Sequence, residues 1–291
     1  MIFNSLKEKM EYFRSLYDYK ITPGGYTLVM IDGHNFSRKI KKRFKRPFDE
    51  KFIEYMNKTA IHICKEFQGI KFAYTQSDEI SFLMTDFDEE NISDPPYGYR
   101  LCKLQSLIAS EASGYFNKLM METILELKEN IQEKFNDIFK GGPFTFDCKV
   151  WQVPSEGDVN GWFVYRQNDC IRNSVSQVGQ YYFSHKELLG INTSQIVEKL
   201  IKNKGVSWEN DFSDGMKYGR LIYKEDETKY NENGEPFIRG VWISHDVPTK
   251  FSGTDIIKKI NSFKMKTVEE LNKQLTPFLP EGSESIILRD I

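Results

Sequence analysis

The chain has 291 residues, 40% hydrophobic and 14% aromatic, with 40 basic against 42 acidic residues and a formal net charge of −2. That much apolar surface supports a folded core and excludes a disordered chain, while the near-neutral balance excludes a molecule that grips polyanions through its overall charge. Four widely spaced cysteines with no CxxC pair exclude a disulfide framework or a zinc site and read as core thiols.

The opening segment MIFNSLKEKMEYFRSLYDY reads as a charged helix and lacks the apolar stretch of a signal peptide. No run of eighteen apolar residues follows, so the expectation is an intracellular protein without a membrane span, cytoplasmic or organellar. YTLVMID, residues 26–32, is a short buried strand after the turn Pro23-Gly24-Gly25, and it ends on an aspartate. SRKIKKRFKR, residues 37–46, is either a solvated face or a local phosphate track. Residues 49–67 carry Phe52, Ile53, Met56, Ala60, Ile63, Cys64 and Phe67 at the spacing of one helix face.

IKFAY and ISFLMTDF then form a hairpin around the polar knot Gln76-Ser77-Asp78-Glu79. One long helix is predicted over about 99–139, stopped by Gly141-Gly142-Pro143. FTFDCKVWQV alternates as a strand, and GWFVYRQNDCIRNSVSQVGQYYF begins a helix broken near Gly190. Its aromatic residues read as core, with stacking on unpaired RNA bases as the alternative. TSQIVEKLIKNKG is a helix capped by Thr193 or Ser194 and stopped by Gly205, and a hairpin turning at Asn233-Gly234 follows. Residues 255–275 predict an amphipathic helix for packing or oligomer contact.

Asp32 and Asp78 are separated by a crossover helix, yet in a β-α-β-β sheet the first strand lies beside the hairpin and the two carboxylates can meet at one end. Such a pair makes a hard, oxygen-rich site of the kind Mg²⁺ prefers, able to hold two ions for an in-line phosphoryl displacement. The plainer reading makes Asp78 a turn former and Asp32-Gly33 an ordinary strand end. Arg100 and Lys103, three residues apart at the start of the long helix, place cations where backbone N–H groups already favour an anion, as a triphosphate grip would.

The run IDGHNFSRKIKKRFKRPFDEKFIEYMNKTA, then FAYTQSDEISF, with Arg100-x-x-Lys103 beyond, resembles the histidine-tRNA guanylyltransferase family, enzymes that extend RNA in the 3′-to-5′ direction. The match runs over residues 6–140, weakens to about 225 and is not apparent beyond. It implies an α+β fold: a polymerase-palm-like (ferredoxin-like) antiparallel sheet with helices on one face as a catalytic domain over 1–140, and an α/β C-terminal region with a helical tail over 141–291. It implies two Mg²⁺ ions on Asp32, the carbonyl of Gly33 and Asp78, with Glu79 a supporting acid. The family's nucleotide contacts fall on the backbone of His34, Asn35 and Phe36 and on Arg46, Asp49 and Ser77, and its triphosphate contacts on Arg100 and Lys103. The partners implied are tRNA, ATP, GTP and other NTPs, in a homo-oligomer, typically a tetramer.

Where the parent enzymes carry HINN, this chain has Ile171-Arg172-Asn173-Ser174. That departure resembles the guanylyltransferase-like 3′-5′ RNA polymerase subgroup, which favours templated addition to 5′-truncated tRNAs over a single guanosine on histidine tRNA. Two other readings share some of these residues: an RNA-independent nucleotide cyclase on the same metal pair, and a catalytically silent RNA-binding protein.

Overall fold

The computed structural model describes residues 3–86, 96–126 and 130–251; the helix expected over 255–275 lies outside the described residues. Helix α1 (Leu6–Ser15) starts on Ser5, whose hydroxyl accepts the Glu8 N–H. Strand β1 (Tyr26–Gly33) is followed by α2 (Phe36–Arg43) and α3 (Glu50–Glu66), the latter capped by Asp49, which accepts from Phe52 N at 2.9 Å. Strands β2 (Ile70–Gln76) and β3 (Glu79–Met84) make the expected hairpin around Ser77-Asp78.

The single helix predicted over 99–139 is two helices, α4 (Leu101–Glu126) and α5 (Ile131–Phe139). Asn130, just before α5, has φ 54°, a left-handed conformation that no right-handed helix can run through. Strand β4 (Phe146–Val153) and a 27-residue α6 (Glu156–Tyr182) come next, then the short α7 (His185–Leu188). Helix α8 (Thr193–Lys204) stops at left-handed Gly205 as expected, but its cap is Asn192, not Thr193 or Ser194. Asn192 wins because Gln195 three residues on returns a bond to its backbone, closing a capping box. The short α9 (Asp214–Tyr218) leads into β5 (Arg220–Tyr230) and β6 (Pro236–Asp246), paired as a hairpin.

The strands form one antiparallel sheet in the order β4-β1-β3-β2-β5-β6. Its first four strands are a ferredoxin-like β-α-β-β-α-β arrangement in which β3 inserts between β1 and β2. The expected boundary near 140 falls between α5 and β4, and the sheet continues across it: β4 pairs with β1 from Tyr26↔Val153 to Gly33↔Phe146, and β5 pairs with β2.

Alternation along β1 sends Val29 and Ile31 to one face, where they pack with α3 and α4 residues such as Met56, Ile63, Ile108 and Phe116. Leu28 points to the other face and joins Phe72, Tyr74 and Leu83 under Val159, Phe163 and Cys170 of α6. The helices expected on one face are therefore α3 and α4, and the C-terminal half lays α6 over the opposite one.

Candidate active site

Asp32 is paired with Glu79 across β1 and β3 and with Asp147 across β1 and β4, so all three carboxylates stand on the face that carries α6. Asp78 occupies the tight turn between β2 and β3, where Ser77 takes a left-handed φ of 48°. The turn is tied to the strand end by Gly33 N–H, which donates to the Asp78 carbonyl at 3.0 Å. One hydrogen bond thus fixes the two proposed metal-binding segments edge to edge.

Behind them, Gly33 is required by close approach: a Cβ there would sit 2.3 Å from the ring of Phe36. Phe36 is fully buried among Phe52, Phe116, Phe144 and Phe146, with centroids 4.9–6.4 Å away. His34 N–H donates to Thr145 O at 2.8 Å, and Asn35 turns left-handed (φ 57°) to start α2. Asn117 of α4 accepts from and donates to the backbone of Phe144, and Ser113 Oγ accepts from Phe146 N, which anchors the neighbouring strand β4.

Burial and the neighbouring Asp32 push the Asp78 carboxyl up to about 6. Asp32 is raised by burial and by Asp147, with Lys149 and Arg166 pulling the other way. Glu79 is raised by burial against the restraint of Arg166, whose Nε and Nη2 hold its two oxygens at 2.7 and 2.5 Å. Arg166 also reaches Asp169 at 2.7 Å, and Asp169 takes Arg172 at 2.5 Å. Buried Gln76 Oε1 has no hydrogen-bond partner among the described residues. Among the described residues no three His, Cys, Asp or Glu side chains converge on one point, but Asp32 and Asp78, both raised by their surroundings, and the Gly33 carbonyl supply oxygen donors at one strand end, with the unpartnered Gln76 acceptor nearby. That donor set fits a hard divalent cation.

The predicted residues divide into three groups. Asp32, Gly33, Ser77, Asp78 and Glu79 come together, with Ser77 Oγ donating to Asp78 Oδ1 at 3.0 Å, and His34, Asn35 and Phe36 lead away from them into α2. Arg46 and Asp49 lie between α2 and α3 at the same end of the sheet, and Asp49 uses its second oxygen on Lys45 N at 2.8 Å.

Arg100 and Lys103 are not brought to this cluster within the chain. Strand β3 leaves Asp32 at Glu79 and ends at Met84 beside Thr27, about 17 Å along the sheet. At that far end Tyr99 O accepts from Ile21 N, Arg100 pairs with Asp18 at 2.9 Å, and Lys103 Nζ lies 4.9 Å from the Tyr97 ring. In the basic run, Lys39 donates to Pro143 O in the connection before β4 and Arg43 to Asp137 O of α5, pinning α2 to both.

Asp147 and Arg166 are the site residues that sequence reasoning missed; Asp147 carried no local signal, being one acid in an alternating strand, whereas Arg166 had one. The signal for Arg166 was the Arg166, Asp169, Arg172 series at helical spacing in YRQNDCIR, but its partner Glu79 lies 87 residues away. In the stretch replacing HINN, Arg172 is exposed, Ile171 is partly buried, and Ser174 accepts the Trp208 indole N–H at 2.9 Å.

Residues 7–154, just over half of the chain, match the family model described as tRNAHis guanylyltransferase. A tRNA(His) guanylyltransferase of Debaryomyces hansenii is 26% identical over 238 residues, covering 75% of this chain and 81% of its own length. An uncharacterized protein of Acanthamoeba polyphaga mimivirus is 27% identical over 226 residues, covering 75% and 76%. A bacterial tRNA(His) guanylyltransferase-like protein solved in complex with ATP superposes with a TM-score of 0.70 at 28% identity, over 89% of this chain and 97% of that one. The likeness therefore runs past residue 225, where the sequence motifs fade. Among the described residues no helix is long and apolar enough to cross a membrane. The chain belongs to the tRNAHis guanylyltransferase family and is a nucleotidyltransferase.

Proposed function

We propose that this chain adds nucleotides to the 5′ end of tRNA in the 3′-to-5′ direction, repairing truncated ends against a template strand. The observation that carries the reading is the Gly33–Asp78 backbone bond, which sets Asp32 and Asp78 side by side in a half-buried corner rich in carboxylates. In the first stage an oxygen of the RNA 5′-monophosphate attacks the α-phosphorus of ATP or GTP and pyrophosphate leaves. In the second, the 3′-hydroxyl of an incoming NTP attacks the RNA 5′-phosphorus, forming the new phosphodiester and expelling AMP or GMP.

Asp32, the Gly33 carbonyl and Asp78 would hold two Mg²⁺ ions, which supply charge neutralisation at the transferring phosphoryl group and activate the attacking oxygen. Glu79 stays on Arg166, so its charge is spent locally and its backbone holds the Asp78 turn. Ser77, exposed on a left-handed backbone, turns its hydroxyl toward Asp78 and lies where a nucleotide phosphate would pass. Positioning and fixed charge are what phosphoryl transfer asks of a protein, and this corner offers both. Replacement of the HINN signature by Ile171-Arg172-Asn173-Ser174, the departure that resembles the guanylyltransferase-like subgroup, supports templated repair over obligatory guanosine addition. Arg100 and Lys103, at the other end of the sheet, are engaged by Asp18 and the Tyr97 ring and take no part in this corner within one chain.

The test supplies Mg²⁺, ATP, the four NTPs and a 5′-monophosphorylated tRNA lacking its first nucleotide, alongside full-length histidine tRNA. Growth of the truncated RNA that Asp78→Ala abolishes is the expected result. RNA-independent pyrophosphate release would point to a cyclase instead, and preferential guanosine addition to full-length histidine tRNA would overturn the repair assignment.

A further inference from the structure

Beside the carboxylates, the sheet face under α6 is only partly covered. Alternation places Met30, Asp32, Asp147, Lys149 and Trp151 of β1 and β4 on that face, with Asp147 and Lys149 exposed. Helix α6 meets it at Trp162, whose indole lies 4.6 Å from that of Trp151 and donates Nε1–H to Ser81 Oγ at 3.3 Å. One turn later Arg166 is locked on Glu79.

Between these two anchored side chains stands Tyr165. Its ring is tilted 5.8 Å from Trp162 and lies 5.0 Å from the Arg166 guanidinium, yet 54% of the residue is exposed. Phe163, two residues before it, is fully buried against Phe72, so core packing accounts for that ring and leaves Tyr165 without such a role. A ring held by an immobile indole and an immobile guanidinium is rigid in advance, and a rigid exposed aromatic is a low-entropy contact surface.

We propose that Tyr165 is the stacking ledge for the terminal base of the RNA whose 5′ end reacts at Asp32 and Asp78. The inference rests on the nucleotidyl-transfer reading above. Its distance from the reacting end is short by construction, because Arg166, adjacent on the helix, bonds Glu79, which pairs with Asp32. RNA fits better than a free nucleotide: the end of a stacked helix presents one base plane and needs a single platform, and Tyr165 offers one ring on an open face.

The experiment compares wild type with Tyr165→Ala, Tyr165→Phe and Tyr165→Trp on a 5′-truncated, 5′-monophosphorylated tRNA. KM is measured separately for RNA and for NTP, and the same RNA carries 2-aminopurine at its 5′ terminus as a stacking probe. Tyr165→Ala is expected to raise KM for RNA about ten- to a hundredfold, the worth of one base–aromatic stack. It should also abolish the 2-aminopurine quenching and leave KM for NTP within about twofold. Tyr165→Phe and Tyr165→Trp should keep both, which a purely structural role of the hydroxyl would not predict. A wild type that extends the RNA while Tyr165→Ala keeps its KM and its quenching overturns the ledge and leaves the reaction standing. An equal rise in KM for NTP also overturns it, in favour of a nucleotide contact. A wild type that extends no RNA overturns the reaction itself, and the ledge with it.

Discussion

Gly33 donates its backbone N–H to the carbonyl of Asp78 at 3.0 Å, joining the end of β1 to the β2–β3 turn across 45 residues of sequence. The bond is indifferent to side-chain charge, so it holds Asp32 and Asp78 together even while their carboxylates repel. The site is built by the backbone and strained by its charges.

A pH dependence follows. The folded Asp78 carboxyl sits at about 6 against an ordinary 3.8, so between those values the folded state binds more protons than the unfolded one. In the absence of divalent cations stability therefore falls as pH rises from about 4 to 6, and the cost is fully present above 6. A rise of that size corresponds to about 3 kcal/mol, and since Asp78 keeps some solvent contact about 1–2 kcal/mol is expected. Melting of wild type and Asp78→Asn in EDTA should show the variant equal at pH 4 and several degrees more stable at pH 7.5, with no nucleotidyl transfer. Mg²⁺ should close the gap by raising the wild type alone; an unchanged difference between pH 4 and 7.5 would refute this account.

Gly33→Ala places a methyl carbon on the Phe36 ring, in a core where Phe36 touches four other aromatic rings. Overpacking of that kind costs about 1–3 kcal/mol and displaces the backbone on which Asp32 and the Gly33 carbonyl depend. Thermal melting should fall by several degrees and activity by far more than stability. Gly33→Ala combined with Phe36→Leu should recover much of the melting temperature.

The strand end, the hairpin knot and the crossover helix were legible because their signals are local: a β-rich run, a turn, a 3.6-residue period. What lay beyond reach depended on tertiary register. Nothing in the sequence announces that Asp147 faces Asp32 across β4, or that α6 covers the second face of the sheet and delivers Arg166 to Glu79. Arg100 and Lys103 show the opposite limit: their spacing at a helix start was plain, but the direction of β3, which carries the chain away from Asp78, decides which end of the sheet they occupy. The break before α5 was hidden because Asn130 looks like any polar helix residue until its φ is known.

Helix α8 offers a local check. Asn192→Ala removes the acceptor of Gln195 N and half of a capping box, at a cost of about 1 kcal/mol. Thr193→Ala and Ser194→Ala should each change the melting temperature by less, in a thermal-shift series run side by side. An equal loss at Thr193 would return the cap to the position first expected from sequence.

The Arg166–Glu79 pair should behave as a buried ion pair does when one partner is taken away. Glu79 is 7% exposed and both its oxygens are bound by one guanidinium, so Arg166→Met leaves an unpaired carboxylate in a site already crowded with Asp32, Asp78 and Asp147. Losing one member of such a pair costs about 3–5 kcal/mol, whereas replacing both by uncharged groups of similar volume is close to neutral. Chemical denaturation should therefore show a large loss for Arg166→Met and partial recovery in the Arg166→Met, Glu79→Gln double variant, in which Asp169 loses Arg166 but keeps Arg172. Activity should separate from stability in that double variant: its turn is intact and its carboxylates are fewer, so residual nucleotidyl transfer at raised Mg²⁺ is expected. Additive losses of stability would mean that Arg166 and Glu79 do not act on each other, and the account of how α6 braces the Asp78 turn would fail with them.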